Sequence, residues 1–456
     1  MPTWRIAAWV TSAAVGGGVG ACATPSAFQC DADLQCDAGV CADGGYCAFV
    51  DEGCESGHRY GAHAPGGLAG MCTPSPEGTT GGDDAAVAGS STGAHPGDDE
   101  GTGGSTSAPA DDEGTGDPTP ACADWWDVEW PQRRALSIDA QGFAAPIAGF
   151  PASVVLDPNI GLSAAPGIRF VGDECGVIPH ELEPTAEGDS AIAWLALPTI
   201  GPMAGPLYLY YGNPDAADEQ EMGAVWDEDF AAVWHLGGVS DSSAYSNNLV
   251  PTPTPTEGPM GPAALFDGEQ ITQAPADPSL TFFESAGFSV SAWVRVDTSF
   301  SPRTQRIVDK ADSSDASVGY VLSLIWLPDE PLELEFDLGR EGGEFSLRTS
   351  AAALELGQWH HVAVTYAPDA AEDPVFFIDG AIAPSVPNVP GLGPPLSDET
   401  RPLTLAGTSY AAERFFEGAM DEVRVSTVVR SPDWMLAEYR SGTGTLLSLG
   451  AEELAP

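Results

Sequence analysis

The chain is 456 residues long, and its 67 acidic against 16 basic residues give a formal net charge of −51. A field of that sign repels phosphate backbones and anionic headgroups, which excludes nucleic acid as a partner. Gly (54) and Pro (40) make up about a fifth of the residues, which argues against long helices and for short strands joined by turns.

Arg5 stands ahead of a ten-residue apolar run, Ile6 to Val15. Such a run is too short to span a bilayer but suits the core of a signal peptide. Val19-Gly20-Ala21-Cys22 follows and resembles the lipobox of bacterial lipoproteins. The resemblance implies a signal peptide over residues 1–21, a diacylglycerol on the Cys22 thiol and an acylated new amine. Acyl chains contribute about 0.8 kcal/mol per buried CH₂, so two or three anchor stably without a spanning helix. Ordinary cleavage after Ala23 is the alternative. By resemblance to well-studied lipoproteins, Ala23 rather than Asp after the cysteine implies an outer-membrane lipoprotein of the cell envelope, exposed at the surface.

Six further cysteines, Cys30, Cys36, Cys41, Cys47, Cys54 and Cys72, crowd residues 22–72, and Cys122 and Cys175 remain as a candidate pair. An even cluster in an exported chain reads as a disulfide framework with fifteen conceivable connectivities. Zinc is the rival reading, with His58 and His63 nearby, but no Cys-x-x-Cys knuckle is present. Residues 73–121 hold ten acidic residues, no Lys or Arg, and an Asp-Asp-Glu-Gly-Thr-Gly repeat at 98–103 and 111–116. They cannot bury enough apolar surface to offset their ordering entropy, so a disordered linker is expected.

Over residues 122–225, Ala135–Ile138, Ala152–Leu156, Ile168–Val171, Ile192–Leu195 and Leu207–Tyr211 are strand-sized apolar runs separated by Gly, Pro, Asp or Asn. A small β-sandwich-like domain is expected. "GIRFVGDECGVIPHELE", "AIAWLALP" and "LYLYYGNPDA" are similar to an uncharacterised bacterial β-domain family often found before LamG-like domains. Over 226–456, Phe288–Val296, Leu332–Leu338, His360–Tyr366 and Met420–Val425 follow the strand period, and only Pro432–Tyr439 reads as helical. "FSVSAWVRV", "GQWHHVAVTY" and "FFEGAMDEVRVSTVVRSPDWMLAEY" resemble LamG-like, concanavalin A-like lectin/glucanase domains. The expected class is therefore all-β: a small sandwich and then a jelly roll, preceded by a disulfide-rich module and the linker.

LamG-like domains often bind Ca²⁺, and the resemblance implies Asp241 and Asp421 as ligands. Calcium requires six to eight oxygens. Alternation places Asp421 on the side of Val423 and Val425. Glu333, Glu335 and Asp337 share one strand face with about 6.7 Å between alternate residues. That row resembles the carboxylates of glucanases on this fold, but it also reads as the wet face of an amphipathic strand. His360, on the side of Val362 and Val364, reads as structural. No nucleophile–base pair or phosphate loop stands out. The function expected is non-catalytic binding of a glycan or protein ligand by a surface lipoprotein. A glycoside hydrolase and a passive envelope component are the alternatives.

Overall fold

A computed structural model describes residues 40–42, 46–50, 58–60 and 125–456, apart from 161, 186–189, 202–204, 282–286, 299–302, 313–317, 327–330, 344, 350–353, 368–373, 391–393, 398 and 412. Cys22, Cys30, Cys36, Cys54, Cys72, Cys122 and the linker lie outside the described residues. The chain divides into two compact units, with the boundary between Ala110 and Asp111. The described part of the first unit is three short strands, β1 (Val40–Ala42), β2 (Tyr46–Val50) and β3 (His58–Tyr60). They pair antiparallel in the order β1-β2-β3, with Cys41 opposite Cys47.

The second unit opens with seven strands: β4 (Gln132–Ile138), β5 (Ile147–Leu156), β6 (Arg169–Val171), β7 (Val177–Ile178), β8 (His180–Pro184), β9 (Ala191–Ile200) and β10 (Leu207–Tyr211). A four-residue helix, α1 (Met222–Val225), leads out of them. The jelly roll follows with β11 (Phe230–Trp234), β12 (Thr254–Gly258), β13 (Gly261–Asp267), β14 (Thr272–Ala274), β15 (Phe288–Val296), β16 (Thr304–Asp309), β17 (Tyr320–Trp326) and β18 (Leu332–Leu338). Then come β19 (Phe345–Thr349), β20 (Trp359–Tyr366), β21 (Val375–Ile378), β22 (Ala381–Ala383), β23 (Ser385–Pro390), β24 (Leu403–Leu405) and β25 (Glu417–Ser426). Helix α2 (Pro432–Gly442) and strand β26 (Leu447–Leu454) end the chain. The expected strands at 207–211, 288–296 and 332–338 hold to the residue. Among the described residues no helix is long and apolar enough to cross a membrane.

In the jelly roll, an eight-stranded sheet (β12-β13-β25-β15-β20-β21-β22, with β11 on β25) faces a seven-stranded one (β14-β24-β16-β17-β18-β19-β23). Alternate residues of each, such as Val290, Val294, Leu334, Phe336 and Val364, fill the layer between them. The first sandwich sets β26-β4-β10-β6-β7 against β5-β9-β8.

The expected boundary at 225/226 does not separate two independent domains. Strand β26, from the end of the chain, pairs antiparallel with β4 and forms the edge of the first domain's sheet. One apolar cluster also joins Phe150, Trp194 and Leu197 of the first domain to Phe230, Val233, Ala363 and Phe377 of the second. The outer face of the eight-stranded sheet is thereby covered by the first domain and α2. The helix starts where Ser431 accepts a hydrogen bond from the Trp434 amide, with Pro432 at its first position. It seats Trp434 edge-on against Phe150 at 4.9 Å.

Candidate functional site

The row expected on β18 exists, and arginines engage Glu335 and Asp337. Glu335 Oε1 accepts from Arg348 Nε at 2.8 Å, from Ser346 Oγ at 3.3 Å and from Asn388 Nδ2 at 3.2 Å. Asp337 Oδ2 accepts from Arg306 Nη1 at 2.8 Å, and that same nitrogen donates to Ser323 Oγ at 2.7 Å. Burial, with Asp337 next to it, pushes the Glu335 carboxyl up from its ordinary value despite Arg348. This is a ladder of alternating charge across β16, β17, β18, β19 and β23. Its Asn388 end is exposed and its Arg306 end fully buried.

The two expected calcium ligands have other partners. Asp241 Oδ1 accepts from the amides of Val233 and Ser243, and Oδ2 accepts from Ser243 Oγ and the Asn247 amide. Four donors on two oxygens pin the 241–247 loop onto β11. For Asp421 the expected facing is corrected. A β-bulge in β25 interrupts the alternation, with Glu422 at φ 49°. Val423 and Val425 stay in the core, while Asp421 turns to the other side. There it is fully buried, accepting from the amides of Met260 (3.2 Å) and Glu422 (2.9 Å). A side chain at Gly258 would collide with its carboxylate. It is therefore not a rim ligand. His360, as expected, is satisfied, with Nδ1 2.9 Å from Asp379 and Nε2 accepting from the Glu355 amide.

A dense group of buried titratable side chains, not expected from the sequence, lies where the two domains meet. Strand β8 sends Glu181 and Glu183 across the boundary, and β25 answers with Glu422 and Arg424. His235, one residue beyond β11, stands between them. Its Nδ1 is 2.7 Å from Glu422 Oε1 and 3.5 Å from Glu183 Oε2, and its Nε2 is 3.6 Å from Glu181 Oε2. Glu181 also accepts from Trp226 Nε1 at 2.6 Å and Ser242 Oγ at 2.8 Å. Trp194 stacks on the imidazole at 5.4 Å, and the Arg424 guanidinium lies 4.7 Å from the same indole. Arg424 Nη2 bonds Glu422 at 2.8 Å, and Glu438 of α2 holds His361 at 3.2 Å and Trp434 Nε1 at 2.8 Å.

Glu183, His235 and Glu422 offer ligand atoms that lie within 4.8 Å of one another. A cation bonded at about 2.0–2.2 Å would hold any two of its ligand atoms roughly 3 Å or more apart. The 2.7 Å between His235 and Glu422 is instead a hydrogen bond. The signal available in the sequence was slight: the Glu-x-Glu of β8 looks like any solvent-facing strand.

A cleft of about 600 Å³ opens elsewhere, between the two sheets of the first domain, against Ile138, Ile178, Pro179, Leu197 and Leu207, with Asp173 the one titratable group on its wall among the described residues. Cys175 of the same domain is disulfide-bonded.

This geometry defines an all-β protein with a concanavalin A-like jelly roll fused to a smaller sandwich. Residues 267–435 match the model of the concanavalin A-like lectin/glucanases superfamily, and residues 165–236 match a domain of unknown function, DUF2341. The second match contains Glu181, Glu183, Trp194, Trp226 and His235, and the first contains Glu422 and Arg424, so the cluster is built by both. No curated protein matches the chain. Among solved structures it is similar to domain 4 of an extracellular GH43 arabinanase from Geobacillus stearothermophilus, in complex with arabinotriose. That pair is 20% identical over 46% of this chain and 97% of the other, with a TM-score of 0.36. It is also similar to the binding domain of Paraclostridial Mosquitocidal Protein 1 (16% identical, 47% of this chain and 52% of that one, TM-score 0.37). A third is the CBM40 of Ruminococcus gnavus IT-sialidase bound to α2,3 sialyllactose (12% identical, 35% and 86%, TM-score 0.29).

Proposed function

We propose that this is an envelope lipoprotein, anchored through Cys22, whose jelly roll binds a glycan or protein ligand without transforming it. The observation that carries the binding reading is the asymmetry of the jelly roll. Its eight-stranded sheet is covered by the first domain and α2, so presentation falls to the other sheet and the rim. On that sheet the exposed Asn388 and the partly exposed Arg348 are held in fixed orientations by the buried Glu335 and Ser346. Pre-aligned donors and acceptors suit a hydroxyl-rich ligand, because little side-chain entropy remains to be lost on binding. The match to the concanavalin A-like superfamily supports the same reading. A glycosidase needs one carboxylic acid and one carboxylate free to reach the substrate. The arginines on Glu335 and Asp337 weigh against that use.

The full mature chain screened on glycan and protein arrays is expected to retain a ligand, and Arg348→Ala to weaken it about tenfold or more, a loss of roughly 1.4 kcal/mol. Binding should persist in chelator, since Asp241 is engaged by four hydrogen-bond donors. Polysaccharide cleavage that disappears in Glu333→Gln or Glu335→Gln would replace this reading with the hydrolase. Anchoring is tested separately. Cells fed labelled palmitate are expected to carry the label on the membrane-bound wild type, with Cys22→Ser unlabelled and released. An unlabelled wild type would remove the anchor and leave the binding reading standing.

A further inference from the structure

We propose that the cluster of Glu181, Glu183, His235, Asp421 and Glu422 is a proton latch. It holds β8 of the first domain against β25 of the second while the cluster keeps its protons, and it lets go as they leave. Strand β8 is suited to such release. It is an edge strand with β9 as its one neighbour. It meets the second domain through Glu181 and Glu183, at 6% and 8% exposure.

The charges facing His235 come from every element packed on it: Glu181 and Glu183 from β8, Asp421, Glu422 and Arg424 from β25, and Glu438 with its partner His361 from α2 and β20. Five carboxylates thus face Arg424 and two histidines. Ionising all five would leave excess negative charge in a space walled by Trp194 and Trp226, where charge is poorly solvated. The geometry shows how this is avoided. The ring nitrogens of His235 lie within 2.7 to 3.6 Å of three carboxylates, an arrangement that favours the doubly protonated imidazole, with an indole stacked on it. Glu183 then carries a proton, while Glu422, bonded by His235 and Arg424, stays ionised.

The proton affinities run the same way. Burial first, then the charges of Glu422 and Glu181, raise Glu183 to about 8 against the pull of His235. Burial and Glu422 raise Asp421 well above the usual carboxylate range. For His235, Glu183 and Glu422 outweigh burial and raise it well above 6.5. All three groups bind protons more tightly folded than unfolded. Their contribution to the closed state is therefore full at low pH and is lost as pH rises, for Glu183 through about 8. Glu181, Glu422 and Glu438 have the opposite sign. Hydrogen bonds and charge from His235 hold Glu181 low, His235 and Arg424 hold Glu422 low, and His361 and Arg424 hold Glu438 down to about 2, each against burial, so their contributions fail only in acid. Since β26 and α2 tie the domains together elsewhere, what opens is the β8–β25 contact.

The test is hydrogen exchange on the full chain from pH 5 to 10, corrected for intrinsic base catalysis, alongside tryptophan emission and far-ultraviolet circular dichroism. Protection of β8 and of β25 near Glu422 is expected to fall reversibly with a midpoint near 8, with a red shift of emission and unchanged strand content. Glu183→Gln keeps an acceptor for Trp194 but cannot ionise, and should move the midpoint up by a pH unit or more. Unchanged protection across pH 6 to 9, or the same midpoint in Glu183→Gln, would overturn the latch. So would a transition that appears only when a chelator removes metal. If Glu183→Gln fails to fold, the wild-type exchange profile decides alone.

Discussion

A chain shortened after Thr445, and so lacking β26, is expected to lose its cooperative unfolding transition and to aggregate. The reason is topological. Strand β26 pairs with β4 from Leu447 opposite Ile138 to Leu454 opposite Gln132, so its loss leaves an unpaired edge of backbone donors and acceptors beside an apolar core. Leu446 and Leu447, buried to 1% and 4% exposure, go with it. Leucine-to-alanine changes at such sites cost about 2–5 kcal/mol each, against a total stability of roughly 5–15 kcal/mol. Polar ties are lost as well, from Arg133 to Glu453 at 2.8 Å and from Tyr211 to Glu452 at 2.6 Å. Residues 226–456 expressed alone should fare no better. The outer face of their eight-stranded sheet would present Phe230, Val233 and Phe377 to water, and β26 would have no strand to join. Denaturant melts of both truncations against the full chain decide the matter. A soluble, monomeric 1–445 chain with an unchanged midpoint would show that the shared strand contributes nothing.

Most of this architecture could be read from the residues because it depends on local period. The runs at 288–296 and 332–338 alternate cleanly, and the α2 start is marked by Ser431-Pro432. What escaped was whatever depends on the partner across a gap. His180-Glu181-Leu182-Glu183 and Leu332-Glu333-Leu334-Glu335 are near copies in pattern, and each reads as an amphipathic strand with a wet acidic face. In the folded chain one faces a second domain and the other an arginine ladder, a difference that no window of sequence contains. The bulge at Glu422 was hidden for a related reason. One extra residue reverses the facing of Asp421 relative to Val423, and neither residue signals it. Strand β26, Leu-Ser-Leu-Gly-Ala-Glu-Glu-Leu, pairs with a strand some 310 residues earlier, and only β4 lying open could have announced it.

Arg306→Met is expected to be among the most damaging single substitutions in the jelly roll, about 3–5 kcal/mol and a fall in melting temperature of more than about 5 °C. The guanidinium is fully buried. It reaches Asp337 at 2.8 Å and Asp309 at 3.4 Å, and methionine keeps the aliphatic stem without the charge. Two carboxylates would be left buried without their cation, which costs more than the original pair contributed. The pH dependence separates this cause from simple loss of packing. Asp309 is already raised to about 6 by burial, with Arg306 resisting the rise. Without the arginine it should rise further and fold protonated. Because a raised carboxyl favours the folded state at low pH, the deficit of the variant should be smaller near pH 4 than near pH 8. A packing defect would give the same deficit at both. Arg306→Lys should recover little, since an ammonium cannot span both carboxylates as the planar fork does. Adding Asp337→Leu to Arg306→Met removes one stranded charge and should recover part of the loss. Equal stability of Arg306→Met and the double variant at pH 8 would mean that a stranded Asp337 carboxylate is not what the substitution costs.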